Sequence, residues 1–139
     1  MAIEIYPVDV SILFKNIGTP KCRISVDSLK KELIVDKEIQ INIKLQGCGP
    51  KKLSIEHYDK ADADPSTALI IEQIRFNEIT SPHFIWAGIY RPSYPRHLTG
   101  DKELKYHNYL GWNGVWVLEF TLPIYTWIHK IENLGWIYD

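Results

Sequence analysis

Residues 39–45 alternate. Ile39, Ile41, Ile43 and Leu45 fall on one side, and Gln40, Asn42 and Lys44 on the other. Successive side chains of a strand point to opposite faces, so a period of two with one apolar side predicts a half-buried strand. Gly47, Gly49 and Pro50 break the run. Leu53, Ile55 and His57 then alternate with Ser54, Glu56 and Tyr58, which predicts a second strand and makes QGCGPK a hairpin connection. A polar loop, DKADADPST (59–67), leads to a third strand from about Ala68 to Ile79, with Ile70, Ile74 and Phe76 on one face and Glu72 interrupting it. HFIWAGIY (83–90) reads as another strand. Residues 91–103, with Pro92, Pro95 and Gly100, read as a long loop. Two or three further strands fit near 3–14, 21–27 and 31–36.

The strongest local signal is YLGWNGVWVLEFTL. Asn113-Gly114 suits a two-residue type I′ turn, whose central residues both need positive φ. That turn sets Trp112 opposite Val115, Gly111 opposite Trp116, Tyr109 opposite Leu118 and His107 opposite Phe120, with the Trp116 indole over the Gly111 backbone. Trp116, Leu118, Phe120 and Leu122 share the face assigned to the core. The period then changes: Ile124, Trp127, Ile128 and Ile131 follow helical spacing, Pro123 suits a first turn and Gly135 the position past the end, so one short helix is expected over 123–134. The tail GWIYD is read as a last short strand or a segment packed on the core. Seven to nine short strands with one late helix predict an all-β fold, a β-sandwich or jelly roll, with a barrel as the close alternative.

The chain has 139 residues, the size of one ordinary domain, and nothing divides it, so residues 1–139 are read as a single domain. Hydrophobic residues make up 45%, enough for a sizeable core. The net charge of −1 supplies no basic surplus to neutralise a phosphate backbone, so nucleic acid is not expected as a partner. No polybasic tract or apolar run of spanning length points to a membrane. The start MAIEIYPVDVSILF lacks the pattern of a signal peptide, so a reducing cytosol is expected, with Cys22 and Cys48 as free or buried thiols.

Three groups of residues are candidates for chemistry. Asp59, Asp62 and Asp64 place three carboxylates within six residues, oxygen ligands suited to calcium. The segment lacks the glycine and terminal glutamate of an EF-hand, and a solvated turn bent at Asp64-Pro65 is the preferred reading. Trp86, Tyr90, Tyr94 and Trp112 form an aromatic set whose flat rings suit sugar stacking or protein contact. Trp86 is better read as core, whereas Tyr90, Tyr94 and Trp112, in or beside loops, are expected at the surface. RPSYPRHL sets Arg91 and Arg96 beside prolines and a tyrosine, a stiff contact loop or an ordinary surface loop with equal weight. The five histidines lack paired ligand spacing, and no nucleophile elbow, phosphate loop or zincin motif occurs, so a non-enzymatic role is expected.

HYDKADADPSTALIIEQIRFNEI, WAGIYRPSYP and YLGWNGVWVLEFTLPIYTWI together resemble small virion-associated proteins of T4-like tailed phages, cyanophages included, over roughly residues 56–128. Tyr58-Asp59 stands where that pattern often has Tyr-Gly. The resemblance implies a β-sandwich made in the host cytoplasm and carried in the virion, bound to other virion proteins in multiple copies, as a capsid decoration or a tail or baseplate component. That group is also similar to calcium-dependent carbohydrate-binding modules. By that likeness Asp59, Asp62 and Asp64 would hold calcium, and Tyr90, Tyr94 and Trp112 would touch a host-surface glycan.

Overall fold

The computed structural model describes residues 5–61, 64, 66–94 and 100–132. In chain order the strands are β1 (Tyr6–Ile17), β2 (Lys21–Val26), β3 (Leu29–Ile34), β4 (Ile39–Gly47), β5 (Gly49–Tyr58), β6 (Ala68–Phe76), β7 (Ile79–Thr80), β8 (Ile89–Pro92), β9 (Leu104–Lys105), β10 (Tyr109–Leu110) and β11 (Gly114–Leu122). Helix α1 (Pro82–Trp86) lies between β7 and β8, and α2 (Ile124–Ile131) follows β11. One antiparallel sheet runs β10-β6-β1-β4, with β7 paired to β6. The other runs β3-β2-β5-β11-β8-β9.

Period-two patterning explains how the sheets meet. Val8, Val10, Ile12 and Phe14 of β1 and Ile41 and Ile43 of β4 face inward from one sheet. Ile24, Leu53, Ile55, Trp116, Leu118, Phe120 and Leu122 face inward from the other, and all belong to one core cluster. This is the all-β sandwich that the alternation predicts, with the inner face of β11 as expected. Helix α2 buries Ile124, Trp127 and Ile128. Trp127 meets Phe76 of β6, Phe84 of α1 and Phe120 of β11, with ring centroids 5.5, 5.8 and 6.1 Å apart. Both cysteines are free thiols, Cys22 buried and Cys48 exposed; burial pushes the Cys22 thiol up to about 12.

Several local expectations are overturned. QGCGPK is not a hairpin: β4 pairs with β1 and β5 with β2 and β11, so the chain crosses between sheets there. Gly49 makes that crossing at φ +87°, a backbone conformation costly for other residues. Asn113-Gly114 is not a hairpin either. β10 pairs with β6 in one sheet while β11 pairs with β5 and β8 in the other, so residues 104–122 do not fold back on themselves. Asn113 lacks the positive φ that a type I′ turn demands. The Trp116 indole covers Gly88, not Gly111: a Cβ on Gly88 would stand 2.2 Å from the ring.

Residues 83–90 are not one strand. Ser81 caps α1 by accepting from the His83 N–H at 3.2 Å, and Pro82 opens the helix. Phe84 and Ile85 are both buried, neighbours that a strand would send to opposite faces. In β6, Ile71, Ile74 and Phe76 are buried and Ile70 is not in line with them. The pairing with β1 steps from Leu13↔Gln73 to Phe14↔Ile71, so Glu72 is an inserted residue that reverses the alternation.

Candidate binding site

The segment GWNG is explained by Lys60. This lysine is almost wholly buried just past the end of β5. Its Nζ donates to the carbonyl oxygens of Thr67, at 2.7 Å, and of Gly111, and lies 4.4 Å from the Trp112 ring centroid. Its backbone N–H donates to Asn113 Oδ1 at 2.8 Å, and Asn113 Nδ2 donates back to its carbonyl at 2.9 Å. Burial lowers the Lys60 pKa. The Asn113 side chain thus clamps the chain after β5 to the start of β11.

Tyr90 extends this network. Its hydroxyl donates to the Trp112 carbonyl and accepts from the Trp112 N–H at 3.2 Å, and its ring stacks on His107 at 5.5 Å. Only 1% of Tyr90 is exposed, contrary to the expectation that its ring faces solvent, and burial pushes its hydroxyl up to about 12. His57 donates from Nδ1 to the Leu110 carbonyl at 2.8 Å, and burial lowers its pKa. Trp112 is half-buried with one ring face under the Lys60 ammonium, so that face is occupied. Tyr94 is half-buried against Gly100, where an added Cβ would meet its ring at 2.6 Å. Arg91 is exposed and lies 3.6 Å from Glu103. Arg96 and His97 lie outside the described residues, as does the tail from 133 to 139.

The acidic loop does not gather its carboxylates. Asp59, at φ +59°, pairs with Lys21, which lowers its pKa. Asp64 Oδ1 accepts from the backbone N–H groups of Ser66, at 3.0 Å, and Thr67, at 3.1 Å. Hydrogen bonds from Thr67 and Ser66 hold its carboxyl down to about 2. Asp62 lies outside the described residues, and among those described no three acidic, His or Cys groups come together as a metal site. A depressed carboxylate stabilises the fold above its ordinary value of 3.8 and loses that contribution as pH falls through about 2. Asp64→Asn is therefore expected to flatten the acid limb of a stability-versus-pH curve between those values. An unchanged limb would refute this assignment.

Ser81, His83 and Glu132 form a cluster that is not a nucleophilic triad. Ser81 Oγ and Glu132 Oε2 both approach the same nitrogen of His83, Nδ1, at 3.3 and 2.6 Å. A triad needs the hydroxyl at Nε2 and the acid at Nδ1. Ser81, then His83, hold the Glu132 carboxyl below its ordinary value against burial. Glu132 is the C-cap of α2, so the cluster is a strut between the two helices.

Exposed rings collect beside this strut. Trp86 is 44% exposed, contrary to its reading as core; Tyr106 is 72% and Tyr125 53% exposed. A cleft of about 390 Å³ is lined by Trp86, Tyr106, Gln73, Asn108, Glu72 and the Thr80–Pro82 turn. That turn also borders a second cleft, of about 320 Å³, with Ile79, Tyr125 and Ile128. Tyr125 in turn borders a third, of about 340 Å³, with Tyr6, Pro7 and Pro123. Sequence reading missed Tyr106, Tyr125, Gln73 and Asn108. Tyr125 had a signal, since it sits off the Ile124–Trp127–Ile128 stripe.

Comparison with protein-family models, with curated proteins and with solved structures returns no match. No helix among the described residues is long and apolar enough to cross a membrane.

Proposed function

We propose that this chain is a non-enzymatic accessory protein of a tailed-phage virion, on the capsid or on the tail or baseplate, acting through contacts with other virion proteins. The observation that carries this reading is Tyr125. Its ring is exposed on α2 between two clefts rich in apolar side chains, and Asn77 Nδ2 donates to its hydroxyl at 3.0 Å. An aromatic anchor already held in one orientation loses little freedom on binding, and tyrosine is among the residues that dominate protein interfaces. Ile79, Pro82 and Pro123, none of them fully buried, offer apolar surface for a partner to cover. The likeness of residues 56–128 to phage virion proteins gives this contact its setting.

The test is incorporation into particles. The chain is expected to co-purify with phage particles from infected cells. Tyr125→Ala is expected to reduce that incorporation at least tenfold, an effect of about 1.4 kcal/mol or more. Its stability should change by no more than about 0.5 kcal/mol, since the ring is exposed. A chain absent from purified particles, or an alanine variant incorporated as well as the parent, would overturn the proposal.

A further inference from the structure

We infer that the cleft between Trp86 and Tyr106 binds a neutral sugar unit of a glycan. The inference rests on the virion reading for its biological setting alone; its chemistry stands on this cleft. Two rings, 44% and 72% exposed, line one depression whose volume of about 390 Å³ falls in the range of small-molecule sites. An aromatic face carries negative charge density, so it attracts the weakly positive C–H groups on the flat side of a pyranose.

The rest of the lining suits hydroxyl groups. Gln73 brings an amide able to donate and accept, and Thr80 and Ser81 bring hydroxyls. Asn108 is fixed by two bonds to Ile71: its Nδ2 donates to the Ile71 carbonyl at 3.0 Å, and its own carbonyl accepts from the Ile71 N–H at 2.9 Å. Those bonds engage its Nδ2 and its backbone carbonyl and hold the residue in the lining of the cleft. Glu72 is the one charged residue of the lining among the described residues, and Lys15 holds its carboxylate at 3.3 Å. Among the described residues no cation lines the cleft to meet a phosphate or sulfate, and Glu72 would repel one, which disfavours nucleic acid and anionic ligands.

This differs from the site expected from resemblance. The rings are Trp86 and Tyr106 rather than Tyr90, Tyr94 and Trp112, and calcium takes no part. The contrast with the clefts beside Tyr125 lies in the residues they do not share: Gln73, Asn108 and two exposed rings here, Ile79, Pro123 and the Tyr125 ring there.

The test is calorimetric titration of the full chain with neutral oligosaccharides of glucose, galactose, mannose and N-acetylglucosamine, each in calcium and again in EDTA. At least one sugar is expected to bind equally in both buffers. Trp86→Ala and Tyr106→Ala should each weaken that binding roughly tenfold or more, while Gln73→Ala, outside the hydrophobic core, reports the amide contact in a chain of unchanged melting temperature. Tyr125→Ala should bind sugar like the parent. Particle incorporation should survive Trp86→Ala and Tyr106→Ala, so failure here is separable from failure of the virion reading. No binding by the parent, binding undiminished in both ring variants, loss of binding in EDTA, or saturation by a tryptophan-containing peptide in place of every sugar would overturn the inference.

Discussion

Gly114→Ala is expected to cost the fold about 3 kcal/mol or more and to lower the melting temperature by about 10 °C. A Cβ at this position would lie 2.4 Å from the Arg91 carbonyl oxygen and 2.7 Å from Pro92 Cα, with the Tyr90 ring at 3.0 Å. The first two are backbone atoms of β8 and cannot swing aside as a side chain can. The backbone at Gly114 also sits at φ +155°. Relief requires β11 to move off β8. That movement is opposed on the other flank, where Gly114 pairs with His57 of β5. It would also pull Trp112 from the Tyr90 hydroxyl that bridges its backbone. Gly49→Ala is the matched control. Gly49 is at φ +87° but an added Cβ there meets nothing within 4 Å, so only the backbone conformation is penalised, by about 1–2 kcal/mol. Urea unfolding of the two variants separates the terms. Equal losses would refute the close packing of β11 on β8.

The alternation of Ile39–Leu45, of Leu53–His57 and of Trp116–Leu122 was enough to predict the strands β4, β5 and β11 and the faces they bury. It was not enough to pair them. In a sandwich a short link can turn back within its own sheet or cross to the facing sheet about 10 Å away, and glycine serves both outcomes. The links at 47–49 and 111–113 cross, and their local composition does not distinguish crossing from turning. Asn113 illustrates why: its side chain, not its backbone, does the joining, and its partner Lys60 is 53 residues away. Helix α1 was different. Ser81-Pro82 is a helix-start signal in its own right, but the short apolar run after it fits a strand as well as a helix. The same distinction governs the site. Tyr125 was legible from its place on a helical wheel. The exposure of Trp86 and the burial of Tyr90 depend on which strand neighbours them, a long-range outcome that residue type does not carry. Lys60 had no signal, because one lysine at a strand end looks like any solvated charge.

Lys60→Met should therefore cost more than a surface lysine would, about 2 kcal/mol. Methionine keeps the length and the apolar stem but leaves the Thr67 and Gly111 carbonyls without their donor, at about 1–3 kcal/mol for each buried acceptor. It also removes the cation over Trp112, an interaction of about 0.5–2 kcal/mol. Against these stands the desolvation that burial imposes on the ammonium, which the variant no longer bears. The acceptors are two and the relieved cation one, so the loss wins. Coupling makes the test specific: Asn113→Ala releases the backbone of the same residue, and the two changes should be non-additive by at least about 0.5 kcal/mol in a double-mutant cycle. The pH dependence has a definite sign. With its pKa lowered in the fold, Lys60 binds fewer protons folded than unfolded between the two values. The stability of the parent relative to Lys60→Met should therefore rise as pH climbs through the folded value toward 10.5. Additive variants, or a difference that stays flat over that range, would mean that Lys60 is a solvated charge and that the Asn113 clamp closes without it.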